Sequence, residues 1–310
     1  MQEEHRILHV VFSMDCLPAG ARGDVRGPAR WDQAGRSMVA FARALVDRGL
    51  GGTFFVAPEA LNRLGGAAGE VRSAGCELGV LCHPQLSGYP ACLGAYGCER
   101  QREILKNARH VWEAALTEAP STFRPGFFSA NDYTFYALCM EGFRQGSCSL
   151  PGRMDDEQCS MWYGSYPFPH HTDPLDRTLQ GTMEFFEVPV TSDFDAASCV
   201  SCETYTPPHL RIEEPDVHAY ARNVIARQLD RMDEDEVAFP TVSFVTSNVV
   251  EWGTKDDPHV ERLRNLCDML REVAGERRMD LRWEPLAALH QMTDEELGMP
   301  WTPAAGEECA

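Results

Sequence analysis

The sequence predicts an α/β protein built as a barrel rather than as an open sheet. Short apolar runs alternate with segments of helical periodicity along most of the 310 residues. Seven or eight such runs, with helices between them, suit a barrel in a chain of this size. Two of the runs stop abruptly at metal-competent side chains, Asp15 and His83. The carboxyl ends of strands are where α/β folds place their chemistry.

The elements follow in order. Ile7 to Phe12 reads as a buried strand running into Asp15. A polar loop rich in Gly, Pro and Arg (Leu17 to Asp32) precedes a helix carrying Met38, Phe41, Leu45 and Val46, which ends at Gly49. Thr53 to Val56 is a strand, Pro58 opens a helix, and Cys76 to Val80 is the next strand. A Gly- and Pro-containing loop leads to the helix Glu99 to Leu116. Thr122 to Pro125 and Gln145 to Leu150 are strands on either side of a helix that starts near Ser129–Asp132 and ends at Gly142. Pro151 to Gly181 is a long loop rich in aromatics and prolines, of a length usually tied to function. Phe185 to Val190 is a strand, and Asp193 to Pro215 is irregular. A helix spans about Asp216 to Met232, and Thr241 to Val245 is a strand. Pro258 starts an amphipathic helix with Leu263, Leu266, Leu270 and Val273. Leu281 to Trp283 is the last strand, and Glu284 to Met292 a closing helix. The whole reads as one domain over 1–295 with a tail over 296–310.

Composition bounds the partners. A net charge of −19 argues against a phosphate backbone as partner, which needs a basic footprint. No run approaches the roughly 18 apolar residues of a membrane span, and the first residues lack the pattern of a signal peptide. A cytoplasmic protein with no nucleic-acid or membrane partner is expected, acting on a small-molecule or oligosaccharide substrate; a homo-oligomer is compatible with the sequence. Twelve cysteines in a chain of this size, without a leader, are expected to be mostly reduced. Cys199 and Cys202 have C-x-x-C spacing, but no second pair completes a zinc ribbon, so they read as loop thiols.

Several motifs occur in register: the strand ending at Asp15, Gly52-Thr53-Phe54-Phe55-Val56, Glu77-Leu78-Gly79 with His83 after it, Phe123-Arg124-Pro125-Gly126-Phe127, Gly142-Phe143, and Glu187-Val188-Pro189-Val190. In this order the chain resembles the polysaccharide deacetylase (NodB-homology) superfamily over nearly its whole length. The resemblance implies a distorted seven-stranded (β/α) barrel. It also implies hydrolysis of an N-acetyl or related amide on a sugar, assisted by a divalent metal, usually zinc. Members hold the metal with one Asp and two His. A second Asp is the general base, a further His the general acid, and the Arg of the Arg-Pro motif orients the base. Such a metal lowers the pKa of bound water and polarises the carbonyl.

This sequence departs from that pattern. One acidic residue, Asp15, stands where the family has two, between Met14 and Cys16. Leu81 falls where the first metal-binding His belongs, and His83 follows two residues later. The general-acid position falls in Ser243 to Asn248, where no His occurs. The expected replacement lies in the long loop, at His170 and His171 beside Asp173. The expected ligands are therefore Asp15, His83 and His171. Asp15, Arg124, His170 and His171 are the catalytic candidates, and Phe127, Trp162 and Tyr166 the sugar-contacting surface. Three readings result: a metal-dependent acyl hydrolase acting on a sugar or sugar conjugate, a catalytically impaired deacetylase-like barrel that binds carbohydrate or a partner, and an allantoinase-like cyclic amidase. The lost positions favour the second reading; the retained Asp15, His83, Arg124 and the His pair favour the first, and the aromatic, His-rich loop suggests a pocket still specified.

Overall fold

The structure, a computed structural model, describes residues 6–194, 204–214, 217–253 and 257–297. Nine strands form one curled sheet: β1 (Arg6–Cys16), β2 (Thr53–Val56), β3 (Glu77–Cys82), β4 (Thr122–Pro125), β5 (Gln145–Gly146), β6 (His170–His171), β7 (Phe186–Glu187), β8 (Thr241–Ser247) and β9 (Met279–Trp283). Their order is β6-β7-β5-β4-β3-β2-β1-β8, with β9 also paired to β1. All pairings are parallel except β6 with β7. Among the described residues, seven α-helices accompany them: α1 (Trp31–Val46), α2 (Leu61–Ser73), α3 (Cys98–Leu116), α4 (Thr134–Met140), α5 (Val217–Glu234), α6 (Pro258–Glu276) and α7 (Leu286–Leu297).

β1 is the axis of the sheet. Its residues from Val10 to Phe12 and Met14 are fully buried, as an apolar run covered on both faces should be. One edge pairs with β8, from His9–Thr241 to Asp15–Ser247. The other edge is shared by β9, opposite Arg6 to Val10, and β2, opposite Ser13 to Cys16. The sheet curls towards closure beyond β7, where Thr191 N–H donates to Ser243 O and Val245 N–H donates to Leu210 O.

The helices pack their apolar stripes on the outer wall. α6 buries Leu263, Leu266, Leu270 and Val273, each contributing about 1.5–3 kcal/mol. Its start is fixed by Pro258 and by Asp257, whose side chain accepts from His259 N–H at 2.7 Å. Inside the curl, Val11, Phe55, Leu81, Phe186, Val188, Leu286 and Leu289 form a separate apolar cluster. Two of these come from α7, which therefore plugs the end of the barrel where the strands begin.

The expected elements are present with shifted ends. The strand read at 145–150 is two residues long, because Cys148 and Ser149 turn their N–H groups onto the Glu187 carboxylate instead of a neighbouring strand. The loop 151–181 contains short antiparallel pieces, including β6. Cys199 and Cys202 and nearly all of the 296–310 tail lie outside the described residues. Among the described residues, no helix is long and apolar enough to cross a membrane.

Candidate functional site

At the C-terminal ends of the strands, the mouth is organised around Arg124. Its side chain is 1% exposed, at the end of β4. Nη1 donates to Asp15 Oδ1 at 2.8 Å, Nη2 to Ser13 Oγ at 3.0 Å, and Nε to Ser147 O at 3.0 Å. The guanidinium lies over the Phe55 ring, 4.1 Å from its centroid. A buried guanidinium satisfied on three sides cannot rotate away, so it fixes the Asp15 carboxylate. Asp15 itself is 25% exposed and faces the mouth.

His83 follows β3 and is nearly buried. Burial lowers its pKa to about 4, against the opposing pull of Asp15, so the ring is neutral. Its Nδ1 is buried without a hydrogen-bond partner. The ring lies on the backbone of Gly126, where a Cβ would fall 2.1 Å from Nδ1. The glycine after Arg124-Pro125 thus makes room for the imidazole.

The chain then bends through Phe127 and Phe128, at φ +59° and +56°. Two successive left-handed non-glycine residues are strained, roughly 1 kcal/mol or more each. The bend sets the Phe127 ring edge-on to His83, centroids 4.7 Å apart. It is pinned by Trp162 Nε1–H and Ser160 O–H, which donate to Phe128 O at 2.7 and 3.1 Å.

Three expected sugar-contacting residues therefore have different positions. Phe127 lines the mouth beside His83. Trp162 is fully buried, so it braces the bend and offers no stacking face. Tyr166, half-buried within the long loop itself, packs on Phe168 and His170, at 5.7 and 5.1 Å between centroids.

The histidine pair is separated by strand geometry. Adjacent strand residues point to opposite faces. His170 is buried against Tyr166 and its Nδ1–H donates to Phe168 O at 2.6 Å. His171 points to the floor of the barrel, where the strands begin. There it meets His290 and Asp294 of α7, and the three ligand atoms lie within 4.8 Å of one another. Among the described residues this is the one group of three or more His, Cys, Asp or Glu able to hold a metal.

The set Asp15, His83 and His171 is accordingly not assembled, because His171 is at the other end of the strands. The residues at the mouth do not fit the divalent metal that the fold family implies. Asp15 Oδ1 is occupied by Arg124, Leu81 lies in the apolar interior, and Cys16 is turned into the core, where burial raises its thiol pKa well above the ordinary value. At the general-acid position Thr246 is buried and accepts from Trp252 Nε1–H at 3.3 Å.

The floor is polar. Glu77, first residue of β3, accepts from Thr53 Oγ1 at 2.7 Å, from Thr122 Oγ1, and from Ala287 N–H at 3.2 Å. Gln145 donates to Thr122 Oγ1 at 2.6 Å, and His290 Nδ1 contacts Gln145 Oε1 at 3.1 Å. Above Glu77, Gly79 faces Phe55 and Thr122, to which a Cβ would stand 3.0 and 3.1 Å away. Glu77-Leu78-Gly79 is thus a structural motif of the floor. Sequence reading overlooked Ser13, His290, Asp294 and Gln145. His290 and Asp294 are i, i+4 on α7, but the closing helix read from the sequence stops at Met292, short of Asp294.

No family model matches the chain, and no curated protein matches it by sequence. Solved structures do. A candidate polysaccharide deacetylase from Mycobacterium smegmatis superposes with a TM-score of 0.59 at 16% identity, over 99% of this chain and 97% of that one. A candidate glycoside hydrolase/deacetylase from Parabacteroides distasonis gives 0.61 at 13%, over 94% and 71%. Puue allantoinase gives 0.55 at 12%, over 95% and 92%. The chain has the fold of the polysaccharide deacetylases.

Proposed function

We propose that this protein is a deacetylase-type barrel that binds a sugar or sugar conjugate at its mouth and is impaired in metal-assisted hydrolysis. The observation that carries this is the parting of the expected ligands, His171 being at the floor while Asp15 and His83 remain at the mouth. The His pair was one support for a working hydrolytic centre, beside Asp15, His83 and Arg124, and its His171 lies with α7 instead. What remains at the mouth suits recognition: a fixed carboxylate to accept sugar hydroxyls, a neutral imidazole, and the Phe127 ring as an apolar face.

A second reading is favoured by the Asp15–Arg124 pair, an arrangement suited to a general base. Here Asp15 takes a proton from water as its oxygen attacks the acyl carbon, then returns it to the leaving nitrogen or oxygen as that atom's bond to the acyl carbon breaks, releasing acetate and the amine or alcohol. The divalent ion, usually zinc, that the resemblance implies has no complete ligand set at the mouth, so no step is assigned to it.

Titration calorimetry with N-acetylglucosamine oligomers, with acetate release measured on the same samples, tests both. Binding that is lost in Phe127→Ala and in Asp15→Asn, without acetate release, supports the binding reading. Acetate release abolished by Asp15→Asn establishes the second. Neither binding nor release sinks both.

A further inference from the structure

We infer that the floor of the barrel holds a divalent metal ion of the zinc type, on His171, His290 and Asp294, which ties α7 to β6. The His171 Nε2 and Asp294 Oδ1 are 3.2 Å apart, and His290 Nε2 and Asp294 Oδ2 are 3.4 Å apart. Both imidazole side chains are nine-tenths or more buried. Although both separations are short enough for one, neither Nε2 makes a hydrogen bond, and Asp294 Oδ1 makes none either.

The opposite nitrogens explain why. His171 Nδ1 lies 3.1 Å from Met183 O, which can only accept, so Nδ1 carries the proton. His290 Nδ1 lies 3.1 Å from Gln145 Oε1, while the amide nitrogen of Gln145 is engaged with Thr122 and Ser121. That fixes Gln145 Oε1 as an acceptor and His290 Nδ1 as a donor. In the neutral rings each Nε2 then presents a lone pair to a carboxylate oxygen. Two lone pairs and an anion converge with no proton among them, and a cation removes the conflict.

The surroundings are those of a ligand set. Metal-binding imidazoles commonly donate their other N–H to a carbonyl or amide oxygen, which holds the ring. Both rings are also packed: Phe186 is stacked on His290 with centroids 5.0 Å apart and edge-on to His171 at 5.2 Å. Two imidazoles and one carboxylate are a donor set that borderline-soft zinc accepts. The cavity beside them, about 540 Å³, is lined by Arg144, Glu184 and Glu295 and gives a fourth position to water. This site is at the opposite end of the strands from Asp15 and Arg124, so it is structural and independent of the function at the mouth.

The test uses the full chain without a polyhistidine tag, loaded with zinc or with cobalt(II) as a spectroscopic substitute and freed of excess metal. About one equivalent per chain, by plasma mass spectrometry, is expected for the wild type and for His83→Ala. Cobalt should give visible absorption of a low-coordinate nitrogen–oxygen site. His290→Ala and Asp294→Asn should weaken binding by at least about a hundredfold, as loss of a direct ligand exceeds loss of a supporting partner. Asp294→Asn keeps the shape of the side chain, and circular dichroism confirms that it folds. A wild type that holds no metal, or a metal kept in folded Asp294→Asn, or lost in folded His83→Ala, overturns the site.

Discussion

Gly126 and His83 are in direct contact, with the imidazole lying where any side chain at position 126 would have to be. The glycine of the Arg-Pro-Gly motif thus exists for the histidine of another strand. Gly126→Ala should displace the His83 ring, cost about 1–3 kcal/mol by overpacking, and abolish sugar binding at the mouth. Urea unfolding and the His83 ring resonances check this; an unmoved ring would remove the steric argument.

Trp162 should act on the mouth without touching it. Trp162→Phe keeps most of the buried volume but deletes the shorter of the two hydrogen bonds to Phe128 O. The strained pair Phe127–Phe128 then loses its main restraint. Phe128 O keeps Ser160 O–H as a donor, so the expected result is a stability loss of about 0.5–1.5 kcal/mol for the lost hydrogen bond, with weaker ligand binding. Unchanged affinity together with unchanged stability would mean that the bend holds by itself.

Two buried groups should shape the pH dependence in opposite senses. Burial lowers the pKa of His209 from 6.5 to about 4. Between those values the unfolded chain carries the extra proton, so stability falls as pH drops through that window, by an order of 3 kcal/mol. Burial raises Glu187 from 4.5 to about 7, so the folded chain carries its proton and stability falls as pH rises through that range. His209→Gln should flatten the acid limb of a stability-against-pH curve, and Glu187→Gln should flatten the limb approaching neutrality. Limbs unaltered in both variants would contradict these assignments.

Glu77 joins three strands to α7. Glu77→Ala leaves the Thr53 and Thr122 hydroxyls and the Ala287 N–H without their acceptor. A loss of roughly 2–4 kcal/mol is expected, together with faster amide exchange across α7. Exchange that quickens evenly over the molecule, instead of first in α7, would show that Glu77 does not anchor the helix.

Much of the fold was legible because the signals are local. Thr53 to Val56 and Thr122 to Pro125 coincide with the expected strands, and Pro258 marks the start of α6. Arg124 was recognisable from its motif, and its partner Asp15 from an apolar run that stops at a carboxylate. What could not be read was direction. His170-His171 looked like one doublet, but strand alternation sends the two rings to opposite faces, and β6 is only two residues long. Trp162 looked like a stacking platform because composition does not record burial. His290 and Asp294 lacked a visible partner, since His171 reaches them only once α7 has folded under the sheet.

The position of β1 also sets the order in which this molecule can be made. Its eleven residues are almost wholly apolar inside, and its partners on one side lie far along the chain, Ser13 bonding to Phe244 across 231 positions. On a ribosome, β1 emerges long before β8 and β9, and until they follow it has β2 for only part of one edge. Closing such distant pairs is slow, and an unpaired apolar edge is open to other nascent chains in the meantime. Moving β1 to follow β9 by circular permutation would make that partner local, and should speed refolding and reduce aggregation without altering the finished barrel.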